Sequence, residues 1–245
     1  IPGIKVDKGA HPMENSPSEK LTKGLDGLYD RCVGYHSLGA RFAKWRAVIT
    51  IGEGIPTDGC IRGNASALAK YAKACQDAEL VPIVEPEVLM DGDHTIETCY
   101  EVSEKTFKTV FEELENEGVH LPGILLKPNM VISGKDCPVQ GDMNTVAEMT
   151  VKCLTASVPE DVPGIVFLSG GQSETEATEH LNAMNAMGDC PWALSFSYGR
   201  ALQQSALHAW GGDNANLETT YATFYHRAEM NSKACHGEYS PELEI

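Results

Sequence analysis

The stretch Phe167-Leu-Ser-Gly-Gly-Gln-Ser-Glu174 joins the end of an apolar strand, a Gly-Gly turn and the start of a helix. The stretch Ser195-Phe-Ser-Tyr-Gly-Arg200 repeats this layout and adds a cation. Glycines let backbone N–H groups approach an anion closely, and the N-terminal end of a helix favours negative charge. In (β/α)8 barrels the loops after the seventh and eighth strands commonly bind phosphate. The two stretches therefore predict a phosphate site at the last two strands of such a barrel.

Short apolar runs alternate along the chain with longer segments of helical periodicity. The predicted strands span residues 3–6, 42–49, 81–87, 124–130, 165–169 and 192–197. Polar residues near the ends of the first five strands recur at intervals of 39 to 42 residues. Repeated βα units of this length predict an α/β fold with a parallel sheet, and they favour the TIM barrel.

The number of strands decides which part of a barrel the chain contains. Six βα units occupy the chain, whereas a closed barrel of this type has eight strands. We therefore expect residues 1–245 to form one TIM-barrel domain with the third to eighth strands, the first two βα units being missing. Because such a sheet has unpaired edges, we expect the 245-residue polypeptide to be poorly folded or inactive on its own.

The composition is that of a globular protein with an acidic surface. Apolar residues make up 42%, and 19 Lys and Arg oppose 35 Asp and Glu, which gives a net charge of −16. This charge repels nucleic acids and anionic lipids, and no apolar run approaches the roughly 20 residues of a membrane helix. The eight cysteines form no C-x-x-C pair, and the histidines lack zinc-site spacing. We therefore expect reduced thiols, a cytoplasmic location, no metal, and neither nucleic-acid nor membrane partners.

Charged side chains stand at the ends of four successive predicted strands. They are Lys5, then Lys44 and Arg46, then Glu85 and Glu87, then Lys127. Residues two apart on a strand share a face, so each pair points to the same side of the sheet. A single charge of this kind is ordinarily a solvated strand end. Charges on four consecutive strands instead favour a common site, because buried charges are costly unless they meet one another or a ligand.

Such a set of groups suits the chemistry of a small phosphorylated carbonyl compound. A lysine beside other cations and apolar walls keeps part of its amine neutral, so that it can attack a ketone. The resulting iminium accepts electrons from a breaking carbon–carbon bond, and a nearby carboxylate moves the protons. The pattern therefore predicts reversible carbon–carbon cleavage through a Schiff base, without a metal or another cofactor.

The segment Gly123-Ile-Leu-Leu-Lys-Pro-Asn-Met130 resembles the Schiff-base lysine motif of class I fructose-bisphosphate aldolases. Further segments resemble the family in the same order: Gly3-Ile-Lys-Val-Asp-Lys-Gly9, Phe42-Ala-Lys-Trp-Arg46, Pro82-Ile-Val-Glu-Pro-Glu87, Asp91-Gly-Asp-His94, Phe167 to Glu174, and Phe196-Ser-Tyr-Gly-Arg-Ala-Leu-Gln203. The resemblance implies a TIM barrel, a homotetramer, and a lyase that cleaves fructose 1,6-bisphosphate to dihydroxyacetone phosphate and glyceraldehyde 3-phosphate.

The resemblance also implies a role for each candidate site residue. Lys127 would form the imine, Glu85 would be the general acid and base, and Glu87 and Lys44 would assist dehydration of the carbinolamine. Lys5 and Arg46 would lie toward the second phosphate and the cleaved half of the substrate. The phosphate on the ketone-derived half would lie among Ser169, Gly170, Gly171, Ser197, Gly199 and Arg200.

Two alternatives stay open on the sequence alone. One is a non-catalytic, aldolase-like scaffold or fragment, which the presence of all these site residues disfavours. The other is a different imine-forming barrel enzyme such as transaldolase, which fits the two phosphate turns and the Glu85/Glu87 pair less well.

Among single residues, we expect Trp45 to pack between sheet and helix and His94 to stand at the start of a helix without binding a ligand. Asp7 either pairs with Lys5 or faces solvent.

Overall fold

The computed structural model of the protein describes residues 1–188 and 190–244, and its centre is a parallel β-sheet. The strands are β1 (Gly3–Lys5), β2 (Ala10–Met13), β3 (Ser16–Thr22), β4 (Phe42–Ile49), β5 (Val81–Val88), β6 (Leu125–Leu126), β7 (Gly164–Phe167) and β8 (Ala193–Phe196). Six of them form the sheet in the order β1-β4-β5-β6-β7-β8, and every neighbouring pair is parallel. Strands β2 and β3 form a separate antiparallel hairpin.

Helices lie between the strands of the sheet and after β8. They are α1 (Leu28–Ser37), α2 (Asp58–Asp77), α3 (Ile96–Asn116), α4 (Met143–Ser157), α5 (Glu174–Met187), α6 (Arg200–Trp210) and α7 (Leu217–Ala234). Short 3-10 turns lie at Leu121–Gly123, Asn214–Asn216 and Pro241–Glu244. The α/β class with a parallel sheet is therefore confirmed. Within the described part of the chain, no helix combines the length and apolar character that crossing a bilayer requires.

The two faces of β4 show how the alternation of side chains separates the core from the candidate site. Trp45 is fully buried and stacks on Tyr71 of α2, with ring centroids 5.5 Å apart. The Tyr71 hydroxyl donates to the carbonyls of Ala43 on β4 (2.8 Å) and Ile83 on β5 (3.1 Å). The predicted packing role of Trp45 is confirmed, and its neighbours Lys44 and Arg46 consequently lie on the opposite face.

The predicted bounds of the fourth sheet strand, residues 124–130, are wrong. Regular pairing is limited to Leu125–Leu126, because Pro128 has no N–H to donate and interrupts the ladder. The chain nevertheless stays beside its neighbours. The Lys127 N–H donates to the Val84 carbonyl (2.7 Å), and the Leu168 N–H donates to the Pro128 carbonyl (3.1 Å). Lys127 is therefore held at the end of the sheet although it lies outside the strand.

Strands β1 and β8 are the two edges of the sheet, and in residues 1–188 and 190–244 each of them pairs with one strand. The described strands thus form an arc of successive parallel neighbours, in chain order from β4 onward. The expectation that two further βα units belong to this sheet stays a prediction.

Candidate active site

The carboxylate of Glu85 lies between two amines. Lys127 Nζ is 3.2 Å from Glu85 Oε1, and Lys44 Nζ is 2.6 Å from Glu85 Oε2. The Lys127 and Glu85 side chains are only 12% and 4% exposed. Three charged groups are thereby brought together from within β4, from within β5 and from the residue after β6, in a region where water screens them little. An amine that can become a nucleophile is thus within hydrogen-bonding distance of a carboxylate that can move protons.

A second pair of charges continues this arrangement along β4 and β5. Arg46 donates from Nε to the Glu87 carboxylate, and Glu87 is buried. Burial alone lowers the pKa of Arg46, but the hydrogen bond and charge of Glu87, with the charges of Glu85 and Asp7, raise it overall. Arg46 therefore stays a cation, and its partly exposed side chain is available to an anionic ligand.

Lys5 is held by Asp7, which resolves the choice that the sequence left open. The Asp7 carboxylate is buried, pairs with the Lys5 amine, and accepts from the backbone N–H groups of Gly9 (3.0 Å) and Arg46 (3.2 Å). Asp7 thus ties the loop after β1 to β4. Lys5 itself remains half exposed at the margin of the site.

One cavity of about 360 Å³ collects most of the predicted site residues. Its lining contains ten of the twelve candidates: Arg46, Glu85, Glu87, Lys127, Ser169, Gly170, Gly171, Ser197, Gly199 and Arg200. Lys44 and Lys5 are outside this lining; Lys44 contacts Glu85, and Lys5 contacts Asp7. The lining also contains Leu89, Met90, Asp91 and Leu168, which the sequence analysis missed.

The two glycine-containing turns lie on one side of this cavity. Gly170 and Gly171 have φ angles of +54° and +88°, and the Gln172 N–H closes the turn by donating to the Ser169 carbonyl (2.9 Å). Helix α5 follows at once, and the predicted capping box between Ser173 and Glu176 is confirmed. The second turn ends at Gly199, the N-cap of α6, and Arg200 is the first residue of that helix. Helix α6 thus begins in the cavity lining, and α5 begins three residues after Gly171, the last residue of the first turn in that lining.

Asp91 reaches the cavity because the alternation of β5 continues beyond the strand. Glu85, Glu87, Leu89 and Asp91 are spaced two residues apart, and all four line the cavity. This spacing is the sequence signal that could have identified Leu89 and Asp91. The Asp91 carboxylate also accepts from the Lys135 amine at 2.5 Å.

The loop that contains Lys135 lies tightly against the loop after β5. The Lys135 N–H donates to the Met90 carbonyl (2.8 Å), and the Gly134 N–H donates to the His94 carbonyl (2.8 Å). A Cβ at Gly134 would lie 2.4 Å from the Gly92 carbonyl oxygen, so only glycine allows this approach. His94 precedes α3 by one residue, Thr95, which caps the helix. It therefore stands at the predicted helix start.

Comparisons with known proteins agree with this geometry. A family model described as glycolytic fructose-bisphosphate aldolase class-I matches residues 1–244. The probable fructose-bisphosphate aldolase class 1 of Xanthomonas campestris is 56% identical over 240 residues, which are 98% of this chain and 72% of the relative. The fructose-bisphosphate aldolase of Dictyostelium discoideum is 51% identical over 242 residues, which are 98% of this chain and 68% of the relative.

A solved structure extends the similarity to the fold. The fructose-bisphosphate aldolase of Plasmodium falciparum, determined in a ternary complex with TRAP and a small-molecule inhibitor, aligns with a TM-score of 0.96 and 51% identity. The alignment covers 98% of this chain and 70% of that chain. The six-stranded sheet and its helices therefore have the TIM-barrel-like α/β architecture of that protein.

Proposed function

The chain belongs to the class I fructose-bisphosphate aldolase family, and from this membership we propose how its own residues cleave fructose 1,6-bisphosphate. The products are dihydroxyacetone phosphate and glyceraldehyde 3-phosphate, and the reaction is reversible. The observation that carries the proposal is the position of the Lys127 amine, 3.2 Å from Glu85 in a cavity that also contains two arginines and two glycine turns. These groups supply a nucleophile, a proton carrier and anion-binding sites together.

Lys127 is the residue on which the substrate becomes covalently bound. Its neutral amine attacks the ketone carbon, and the carbinolamine that forms loses its hydroxyl as water after Glu85 donates a proton to it. The product of this step is an iminium. A base then takes the proton from the hydroxyl on the carbon beyond the scissile bond. The carbon–carbon bond breaks, its electron pair neutralises the iminium to an enamine, and the aldehyde product leaves.

Lys44 and Glu87 assist the first of these steps. Lys44 holds the second oxygen of Glu85, so that the carboxylate is fixed next to the Lys127 amine. Glu87 holds Arg46 on the same face of the sheet. The charges around Lys127 are thereby fixed before the substrate arrives, which is how preorganised electrostatics lower a barrier.

The two phosphates bind on different sides of Lys127 in this proposal. Arg200 and the turns at Ser169, Gly170 and Gly171, and at Ser197 and Gly199, receive the phosphate of the ketone-derived half. Backbone N–H groups near the starts of α5 and α6 favour an anion there. Arg46 receives the phosphate of the aldehyde half, supported by its position in the cavity lining on β4, and Lys5 assists from the neighbouring strand β1.

The domain, the strand assignment, the location and the assembly that we propose rest on the same family membership. We propose that residues 1–245 are one TIM-barrel domain and that β1, β4, β5, β6, β7 and β8 are the third to eighth strands of the barrel. The alignment over 98% of this chain and 70% of the Plasmodium falciparum chain supports this assignment. We further propose a cytoplasmic homotetramer.

The alternatives from the sequence are now weaker. The family match and the 51% to 56% identities are to fructose-bisphosphate aldolases, so transaldolase has no support among them. A non-catalytic scaffold would have no need to keep Lys127, Glu85 and Lys44 in ion-paired contact inside a buried site.

Cleavage of fructose 1,6-bisphosphate by the full natural protein tests the proposal, with release of glyceraldehyde 3-phosphate as the readout. We expect Lys127→Met to abolish turnover, because the variant has no amine to form the imine, and we expect a chelator to leave turnover of the unmodified protein unchanged. The matched control is Lys152→Met. Lys152 is an exposed residue of α4 whose amine lies over the Tyr100 ring. If Lys127→Met turned over substrate as fast as Lys152→Met, the proposal would be contradicted.

A further inference from the structure

Gln172, the residue after the Gly-Gly turn, closes that turn twice. Its backbone N–H donates to the Ser169 carbonyl at 2.9 Å, and its side-chain Nε2 donates to the same carbonyl at 3.0 Å. The Nε2 group also contacts Met130 Sδ at 3.6 Å. The side chain of Gln172 therefore packs against the turn that lines the catalytic cavity. Its amide donates a hydrogen bond to the carbonyl at the start of the turn.

His180, about two helical turns into α5, is hydrogen-bonded to the oxygen of this amide. Its Nδ1 is 2.5 Å from Gln172 Oε1. Because the Ser169 carbonyl can only accept, the amide nitrogen of Gln172 must face it, and the amide oxygen must face His180. His180 Nδ1 therefore carries the hydrogen and donates it. Burial lowers the pKa of His180, and the charge of Glu176 only partly opposes this effect, so the ring is neutral near pH 7.

His180 stands outside the catalytic cavity. It lines a second cavity of about 300 Å³, together with Gln172, Glu176 and Glu179. Met90 and Gly171 line both cavities and form the wall between them. A Cβ at Gly171 would lie 2.9 Å from Met90 Sδ, so this wall is closely packed. His180 therefore does not line the catalytic cavity, and its contact with Gln172 joins it to the turn that does.

We propose that His180, acting through Gln172, is a positioning residue that fixes the Ser169–Gly171 turn in the shape that receives the substrate phosphate. The inference rests on the proposed function, because it takes this turn to be a phosphate site. Two consecutive residues with positive φ give the turn an uncommon backbone shape, and the clamp on the Ser169 carbonyl maintains it. Without His180 the amide of Gln172 can rotate away, and the backbone N–H groups of the turn lose their alignment toward the phosphate.

The role predicts an effect on phosphate recognition that is separate from the chemistry at Lys127. The test is borohydride trapping of the imine in the full natural protein, with dihydroxyacetone phosphate and with dihydroxyacetone as the two probes. We expect His180→Leu to raise the half-saturating concentration of dihydroxyacetone phosphate about tenfold, the size expected for one lost positioning hydrogen bond. The half-saturating concentration of dihydroxyacetone, which has no phosphate, stays unchanged.

Three further variants sharpen the experiment. His180→Asn keeps a side-chain N–H near the position of Nδ1 and restores binding close to that of the unmodified protein. Gln172→Met gives the same loss as His180→Leu, and the double variant is no worse than either single variant, because the two residues act in one chain of hydrogen bonds. The matched control is Glu179→Gln, since Glu179 lines the same cavity and has no hydrogen bond to Gln172 among the described residues.

Three results would overturn the inference. They are an unchanged dihydroxyacetone phosphate curve in His180→Leu, an equal loss with both probes, and no recovery in His180→Asn. If His180→Leu fails to fold, the comparison of Gln172→Met with His180→Asn decides the question by the same criteria. Absence of trapping in the unmodified protein contradicts the proposed function itself, and this outcome is distinct from the other three.

Discussion

Glu85 connects the two lysines of the site, because each of its two carboxylate oxygens contacts a different lysine. One oxygen lies 3.2 Å from the amine of Lys127, on which we propose that the covalent chemistry takes place, and the other lies 2.6 Å from the amine of Lys44. A carboxylate fixed in this way can exchange a proton with a hydroxyl on the Lys127 adduct without first reorienting.

We expect Glu85→Gln to lower kcat for fructose 1,6-bisphosphate by about 10²- to 10⁴-fold, the usual contribution of a general acid or base. The amide keeps the shape of the side chain but cannot carry the proton, so KM changes less than kcat. Steady-state kinetics measure both values. The control Glu112→Gln removes one negative charge from an exposed pair with Arg62 and leaves kcat unchanged. A fall in kcat/KM caused by KM alone would be inconsistent with a proton-transfer role.

Prediction from sequence works well for residues whose position follows from strand alternation. Glu85 and Glu87 share a face in the structure as the sequence predicts, and so do Lys44 and Arg46. Asp91 was missed because the alternation was not followed past the end of β5. The contact between His180 and Gln172 could not be predicted, because it depends on a side chain reaching back from α5 across a turn.

At the scale of the elements, the hairpin of β2 and β3 is the part that the sequence analysis did not predict. Its strands bury only Glu19 and Thr22 and contain prolines and polar residues, so they lack the apolar alternation that marks a strand. The hairpin is fixed by a contact that is distant in sequence. The buried carboxylate of Glu19 accepts from the backbone N–H and the hydroxyl of Thr57, both at 2.7 Å, and Thr57 is the N-cap of α2.

We expect Glu19→Gln to lower the free energy of unfolding at pH 7 by about 1–3 kcal/mol, because its amide cannot accept both hydrogen bonds in this buried site. Burial works to raise the pKa of Glu19, but the hydrogen bonds from Thr57, Ser16 and Cys60 lower it overall from its ordinary 4.5. The folded pKa is thus below the unfolded one. The stabilisation is therefore complete above about pH 4.5 and is lost as the pH falls through the folded pKa.

Urea unfolding curves at several pH values measure this dependence. The difference between the unmodified protein and Glu19→Gln should be largest near neutral pH and should shrink below pH 4.5. The matched control is Glu14→Gln, an exposed substitution in the turn of the same hairpin. A difference that stays constant down to acidic pH would show that the ionised form of Glu19 has no special role.

For the whole molecule, the sequence predicts the order of the sheet correctly, because about 40-residue βα repeats leave few alternatives to successive parallel pairing. The length of β6 could not be predicted from the pattern, since Lys127 and its neighbours keep their place through single backbone hydrogen bonds and not through a regular ladder. The expectation that the 245-residue polypeptide is poorly folded or inactive on its own stays a prediction. Its basis is that β1 and β8 each pair with one strand among the described residues.

The charge of the cavity lining differs from that of the whole molecule. The chain has a net charge of −16, yet Arg46, Lys127 and Arg200 line one cavity, and Lys44 lies next to it. Glu85, Glu87 and Asp91 line the same cavity, so its lining carries equal numbers of cations and carboxylates and is less acidic than the protein as a whole. An anionic substrate is therefore repelled less at this cavity than over the rest of the surface.

The most direct measurement is therefore to trap the covalent adduct and locate it. The full natural protein is incubated with dihydroxyacetone phosphate, reduced with borohydride, digested and mapped by mass spectrometry. The account predicts one modified peptide containing Lys127, and no modification in Lys127→Met. A reduced adduct on another lysine, or none in the unmodified protein under conditions where it cleaves fructose 1,6-bisphosphate, would contradict it.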